Sequence, residues 1–100
     1  MRPRSVDEVF RVLEEHRERL RALGVRKLGL FGSLVRHEAR ETSDLDFLVE
    51  LEHETFDSYM EVKEFLEDLF ACPVDLVLTD AIKPRLRDSI LREAVYAPGF

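Results

Sequence analysis

Apolar residues recur at helical steps through Val9, Phe10, Leu13, Leu20 and Leu23, the spacing that lays one stripe along a helix. Ser5 followed by Glu8 has the capping-box spacing and Gly24 supplies a stop, so one helix is expected over about residues 6–23. The pattern then shortens. Val25 to Phe31 is apolar and β-leaning, with Leu28 and Leu30 on one face, and it runs into a tight turn at Gly32-Ser33. Ser33 can cap a short helical segment from Leu34 to about His37, and the polar stretch from Glu38 to Ser43 suits a surface loop. From Leu45 to Leu51, Leu45, Phe47, Val49 and Leu51 alternate with Asp46, Leu48 and Glu50, which predicts a second strand.

Thr55 opens a helix over about residues 56–70, whose Phe56, Tyr59, Met60, Lys63, Leu66, Leu69 and Phe70 share a face and which Pro73 cannot continue. A third strand follows. In it Val74, Leu76 and Leu78 alternate with Asp75 and Val77, so Asp75 projects from the face opposite the first set. Pro84 suits the first position of a last helix carrying Leu86, Ile90, Leu91, Ala94 and Val95. The order helix, strand, short helix, strand, helix, strand, helix predicts an α+β fold, an α/β sandwich in which a small mixed β-sheet packs against helices.

A length of 100 residues predicts a single domain over residues 1–100. No apolar run approaches the roughly 18 residues that span a bilayer, and the start through Glu8 leads into charged helix pattern instead of a signal-peptide core. A cytoplasmic protein without membrane contact is therefore expected. Cys72 is the one cysteine, which leaves no intrachain disulfide and no cysteine-based zinc site and suits a core position. The net charge of −6 is unevenly spread: residues 1–40 carry +4, residues 41–80 carry −12 and residues 81–100 carry +2. A block of carboxylates repels a nucleic-acid backbone, so direct nucleic-acid binding is not expected, whereas a divalent cation would be drawn to it. Glu61, Glu64, Glu67 and Asp68 read as the solvated face of a helix.

Asp44 and Asp46 belong to a different class. Two acids separated by one residue on a strand point to one face about 7 Å apart, close enough to converge on a shared metal. Asp46 also lies within an otherwise apolar strand, where an unpartnered carboxylate is costly to desolvate. A hard cation such as Mg2+ takes oxygen ligands and commonly keeps substrate phosphates in its sphere. Gly32-Ser33 supplies a matching turn: glycine lets a phosphate approach the backbone, and the following amides with the Ser33 hydroxyl can hold its oxygens. The segment is neither a Walker A loop nor a dinucleotide fingerprint.

Leu30-Phe31-Gly32-Ser33-Leu34-Val35-Arg36, with Ser43-Asp44-Leu45-Asp46-Phe47-Leu48-Val49 beginning ten residues after Ser33, resembles the signature of the minimal nucleotidyltransferases of the DNA polymerase β-like superfamily. Val74-Asp75-Leu76 falls where that family carries a third carboxylate. One position departs: the glycine that usually follows the arginine is His37 here, which puts the local backbone conformation in question. The resemblance implies that Asp44 and Asp46 coordinate two Mg2+ ions, that Gly32 and Ser33 hold the β- and γ-phosphates of ATP, and that Asp75 is a general base or second-metal ligand. Arg36 then either contacts phosphate or clamps the Ser43-Asp44 loop; Asp75, on a structural reading, would only pair with an arginine such as Arg36 or Arg85. His37 either reaches phosphate or is merely solvated, the second being favoured, and His16 and His53 read as ordinary helix-face and loop residues.

Two metals on shared carboxylates can activate an incoming hydroxyl and stabilise the leaving pyrophosphate. With little beyond the catalytic sheet to select an acceptor, a partner protein is implied. Chains of this kind resemble the antitoxins of toxin–antitoxin pairs, which transfer AMP from ATP to a tyrosine of a HEPN-type toxin. The expected function is therefore a Mg2+-dependent protein adenylyltransferase acting as an antitoxin in a hetero-oligomer. The alternatives are an adenylyltransferase for a small acceptor such as an aminoglycoside and a non-catalytic nucleotide-binding subunit.

Overall fold

The structure is a computed structural model and describes residues 3–40 and 42–100. The expectations that touch Met1 and Arg2 at the start of the chain, and Glu41 in the 38–43 loop, lie outside the described residues. In chain order the elements are α1 (Val6–Glu15), α2 (Arg17–Ala22), β1 (Val25–Phe31), β2 (Leu45–Leu51), α3 (Phe56–Phe70), β3 (Val74–Leu78), a 3-10 turn (Thr79–Ala81), α4 (Pro84–Glu93) and β4 (Val95–Tyr96). The strands form one mixed sheet in the order β3-β2-β1-β4. β1 runs antiparallel to both β2 and β4, while β2 and β3 are parallel. That parallel pair is joined through α3, as a parallel connection requires.

Register decides what each face carries. Leu28 pairs with Val49 and Leu30 with Phe47, so these four point to one side. There they meet Val9, Leu13 and Leu20 from the first two helices and Val62, Leu66 and Phe70 from α3. Phe47 and Phe70 stack with ring centroids 5.9 Å apart. The predicted boundaries of all three main strands, of α3 and of the start of α4 coincide with the observed ones. Caps explain several of them: Ser5 Oγ accepts from the Glu8 N–H at 3.2 Å, and Thr55 Oγ1 accepts from the Ser58 N–H at 3.1 Å. Cys72 is buried in the core.

Four expectations differ from what is observed. The single helix over 6–23 is two, divided at His16. There Nδ1–H of the imidazole donates to the Val12 carbonyl at 2.9 Å, taking the acceptor that the His16 amide would use in an α-helix, and that amide turns to the Leu13 carbonyl at 3.1 Å. Residues 33–37 make one turn instead of a helix: the Arg36 N–H reaches the Gly32 carbonyl, the Glu38 N–H reaches the Ser33 carbonyl at 2.8 Å, and Ser33 does not cap it. α4 ends at Glu93, not Val95; Ala94 is extended, and Val95 and Tyr96 pair with Leu30 and Gly29 on the open edge of β1. A β-branched and an aromatic residue beside unpaired strand amides favour that outcome. Finally, Glu61, Glu64 and Asp68 are exposed, but Glu67 is partly buried, accepting from the Val74 N–H at 3.0 Å and pairing with Lys63.

The second face of the sheet carries Phe31, Asp46, Gly29 and Leu48. Leu48 is wholly buried there, outside the principal core. Gly29 leaves room for Tyr96: a Cβ on it would sit 3.1 Å from the tyrosine ring. No helix among the described residues is long and apolar enough to cross a membrane.

Candidate active site

The site forms where β1 ends, and glycine permits it. Phe31 pairs with Asp46, so the next residue, Gly32, lies against the Asp46 side chain. A Cβ on Gly32 would stand 2.0 Å from Asp46 Oδ2 and 2.8 Å from Cγ, and Gly32 has φ +81°, a left-handed conformation. Glycine is thus required twice, for its backbone angle and for the close approach of the carboxylate. Beside the space for phosphate that the sequence suggested, the glycine clears space for Asp46.

The parallel register of β2 and β3 then places Asp75 directly beside Asp46 on the same face. Asp44 lies two residues earlier, exposed just before β2 begins. These neighbours leave their mark on Asp46. Its burial, then the negative charges of Asp75 and Asp44, push its carboxyl up from 3.8 to about 6, with Glu93 adding to the effect and Arg36 opposing it. Among the described residues no three acidic, histidine or cysteine side chains already converge at coordinating distance. The donor set is nevertheless all carboxylate oxygen, suited to a hard cation, and a cation would relieve the repulsion that raises Asp46.

On the other side of Gly32, the turn carries backbone donors. The Arg36, His37 and Glu38 amides are taken by carbonyls within it, whereas no acceptor among the described residues meets those of Ser33, Leu34 or Val35. His37, in the position of the missing glycine, has φ +61° and is exposed. The fold therefore demands a left-handed residue there, and histidine is one of the few non-glycine types that tolerate it. Among the described residues Asp75 forms no ion pair; neither Arg36 nor Arg85 reaches it.

Arg36 does not clamp the Ser43-Asp44 loop. Its Nη1 donates to Glu93 Oε1 at 2.7 Å and its Nε to Glu38 Oε2 at 3.2 Å. The Ser43 hydroxyl instead accepts from the Arg40 N–H at 2.9 Å, closing that loop locally. Glu93 was absent from the sequence-based site: it sits at the end of α4, 61 residues from Gly32, and no local motif marks it. Its Oε2 accepts the Gly32 N–H at 2.7 Å. Burial pushes the Glu93 carboxyl up, but the hydrogen bonds from Arg36 and Gly32 and the Arg36 charge outweigh it, leaving it below the ordinary value. Arg36 is raised in turn, by its bonds to Glu93 and then Glu38.

The sequence profile of the family described as nucleotidyltransferase domain matches residues 13–97. A protein of Thermococcus cleftensis named protein adenylyltransferase MntA is 40% identical over 94 residues, covering 92% of this chain and 95% of that protein. A solved structure assigned to the minimal nucleotidyltransferases superposes with a TM-score of 0.69 at 38% identity, over 86% of this chain and 93% of the other. An MNT antitoxin solved in complex with the tri-AMPylated HEPN toxin of Shewanella oneidensis shares the fold, with a TM-score of 0.63 at 19% identity over 91% of this chain and 73% of that one.

Proposed function

The chain belongs to the nucleotidyltransferase domain family, and from that membership we propose that it is a protein adenylyltransferase, moving AMP from ATP to a tyrosine hydroxyl of a HEPN-type toxin and serving as the antitoxin of the pair. The observation that carries the reading is the pairing of Asp46 with Asp75 beside a glycine turn whose Ser33, Leu34 and Val35 amides meet no acceptor among the described residues. The relative's name and the complex with an AMPylated toxin support the choice of donor and acceptor. Leu86, Val95 and Tyr96 are exposed apolar side chains on α4 and β4, which supports a hetero-oligomer.

In this reading the Ser33, Leu34 and Val35 amides and the Ser33 hydroxyl receive the β- and γ-phosphate oxygens. Asp44, Asp46 and Asp75 would hold Mg2+, which when bound supplies positive charge to the triphosphate. Asp75 faces the acceptor side, exposed and without an ion pair among the described residues, and takes the proton of the attacking hydroxyl. The hydroxyl oxygen bonds to the α-phosphorus as the bond from that phosphorus to the β-bridging oxygen breaks, and pyrophosphate leaves.

The test incubates the protein, its HEPN partner, Mg2+ and ATP labelled at the α-phosphate, with intact-mass analysis of the partner. Wild type should add AMP to the partner. Asp75→Asn should slow transfer by about 100-fold or more while ATP affinity changes little, because a base acts in the transition state. Label arriving from the γ-phosphate would mean a kinase, and full transfer by Asp75→Asn would remove the role given to that residue.

A further inference from the structure

Among the described residues Glu93 is the one carboxylate that touches both ends of the phosphate turn. Its two oxygens are used separately, Oε2 by the Gly32 N–H and Oε1 by Arg36 Nη1, each at 2.7 Å. Gly32 and Arg36 are also joined through the backbone, by the Arg36 N–H to the Gly32 carbonyl at 3.2 Å. One side chain at the end of α4 therefore closes a ring around the first and last residues of Gly32-Ser33-Leu34-Val35-Arg36. The ring has two consequences. Holding the Gly32 amide fixes the residue against which the Asp46 carboxylate packs. Holding Nη1, while Glu38 takes Nε, fixes the plane of the guanidinium and leaves Nη2 with no acceptor among the described residues.

We infer that Glu93 is a positioning residue of the phosphate site: it orients Arg36 so that Nη2 meets a triphosphate oxygen, and it locks the turn whose amides meet the others. The inference rests on the nucleotidyltransferase reading above and extends it to a residue outside the motif. A guanidinium has five donors in a rigid fork, so it can stay bound to Glu93 and Glu38 and still offer Nη2 to phosphate. The side chain of Glu93 is 20% exposed against 48% for Arg36, so the carboxylate is the more firmly seated partner and the arginine the more accessible one. A competing possibility uses the same contacts with the opposite sign. If Glu93 merely occupied the seat of a phosphate, the incoming anion would have to displace it, and removing its charge would strengthen binding.

Glu93→Gln separates the two, since glutamine keeps an oxygen for the Gly32 amide and loses the ion pair to Arg36. Calorimetric titrations with ATP and with inorganic tripolyphosphate, both with Mg2+ present, are compared between wild type and variant at equal folded concentration. A positioning role predicts that both ligands bind about tenfold more weakly to the variant, with the loss equal for the two because it acts on phosphate. In an Arg36→Ala background, Glu93→Gln should add no further loss, whereas a purely structural role would persist there. Unchanged or tighter binding by Glu93→Gln overturns the inference while leaving the nucleotidyltransferase reading intact. Wild type that binds neither ligand with Mg2+ present overturns that reading and this inference with it.

Discussion

At Gly32 a single hydrogen atom stands where any side chain would strike a site carboxylate. Alanine there would force Asp46 Oδ2 away from its position and hold the backbone at φ +81° against its preference. Gly32→Ala should lower stability by about 1–3 kcal/mol, measured by thermal unfolding. Because a displacement of about 1 Å can reduce a rate 100-fold, AMP transfer by the folded fraction should fall by about that factor or more. Activity near wild type would show that Asp46 need not lie against the turn. His37 makes the opposite case. It holds φ +61° with no hydrogen-bonding reason for being histidine, since its side chain is exposed and unpaired among the described residues. His37→Gly should raise stability by about 1 kcal/mol, a rise in melting temperature of roughly 4–8 °C for a domain of this size. A lower melting temperature would mean that the imidazole makes a contribution the structure does not contain.

Element boundaries follow from competition for backbone groups. α1 and α2 part because the His16 ring takes the Val12 carbonyl, and the ring is then seated 6.0 Å from that of Phe65. The end of α3 works through conformation instead: Ala71 closes it at φ +53°, the left-handed cap that glycine usually fills. Ala71 is exposed, so no packing opposes a change. Ala71→Gly should therefore stabilise by about 0.5–1 kcal/mol, visible in denaturant unfolding as a higher midpoint at unchanged slope. A lower midpoint would mean that the flexibility glycine adds to the unfolded chain outweighs the relief at the cap. Val95 and Tyr96 show the limit of periodicity: they continue the apolar spacing of α4 in sequence, yet the free edge of β1 captures them.

For the whole molecule, the central fact is that four carboxylates and one guanidinium from distant parts of the chain act on one another. Asp46, at about 6, is protonated more readily when folded than when unfolded. The folded state therefore binds the extra proton between about 4 and 6, and this contribution to stability, complete below about pH 4, is lost as the pH rises through 6. Asp46→Asn removes that dependence. Relative to wild type, the variant should gain melting temperature at pH 7.5, and the difference should shrink steadily toward pH 4. A difference that stayed constant across that range would show that Asp46 is not held ionised against its neighbours.

The sequence by itself determined what local periodicity and local chemistry can encode. Alternation placed β1, β2 and β3, because each buries one face and a slip of one residue would expose it. Thr55 and Pro73 bracketed α3, and the spacing of Gly32, Ser33, Asp44 and Asp46 identified the turn and the carboxylate strand. Only the tertiary structure decided the rest. Register between β2 and β3 set Asp75 beside Asp46, an outcome that alternation within β3 allowed but could not fix. The His16 break, the capture of Val95 and Tyr96 by β1, and the bridge from Glu93 to Gly32 and Arg36 all depend on which acceptor or donor a group meets in space. Those meetings join residues up to 67 positions apart, Gly29 with Tyr96 being one pair and Gly32 with Glu93 another, and a pattern read along the chain carries no signal for them.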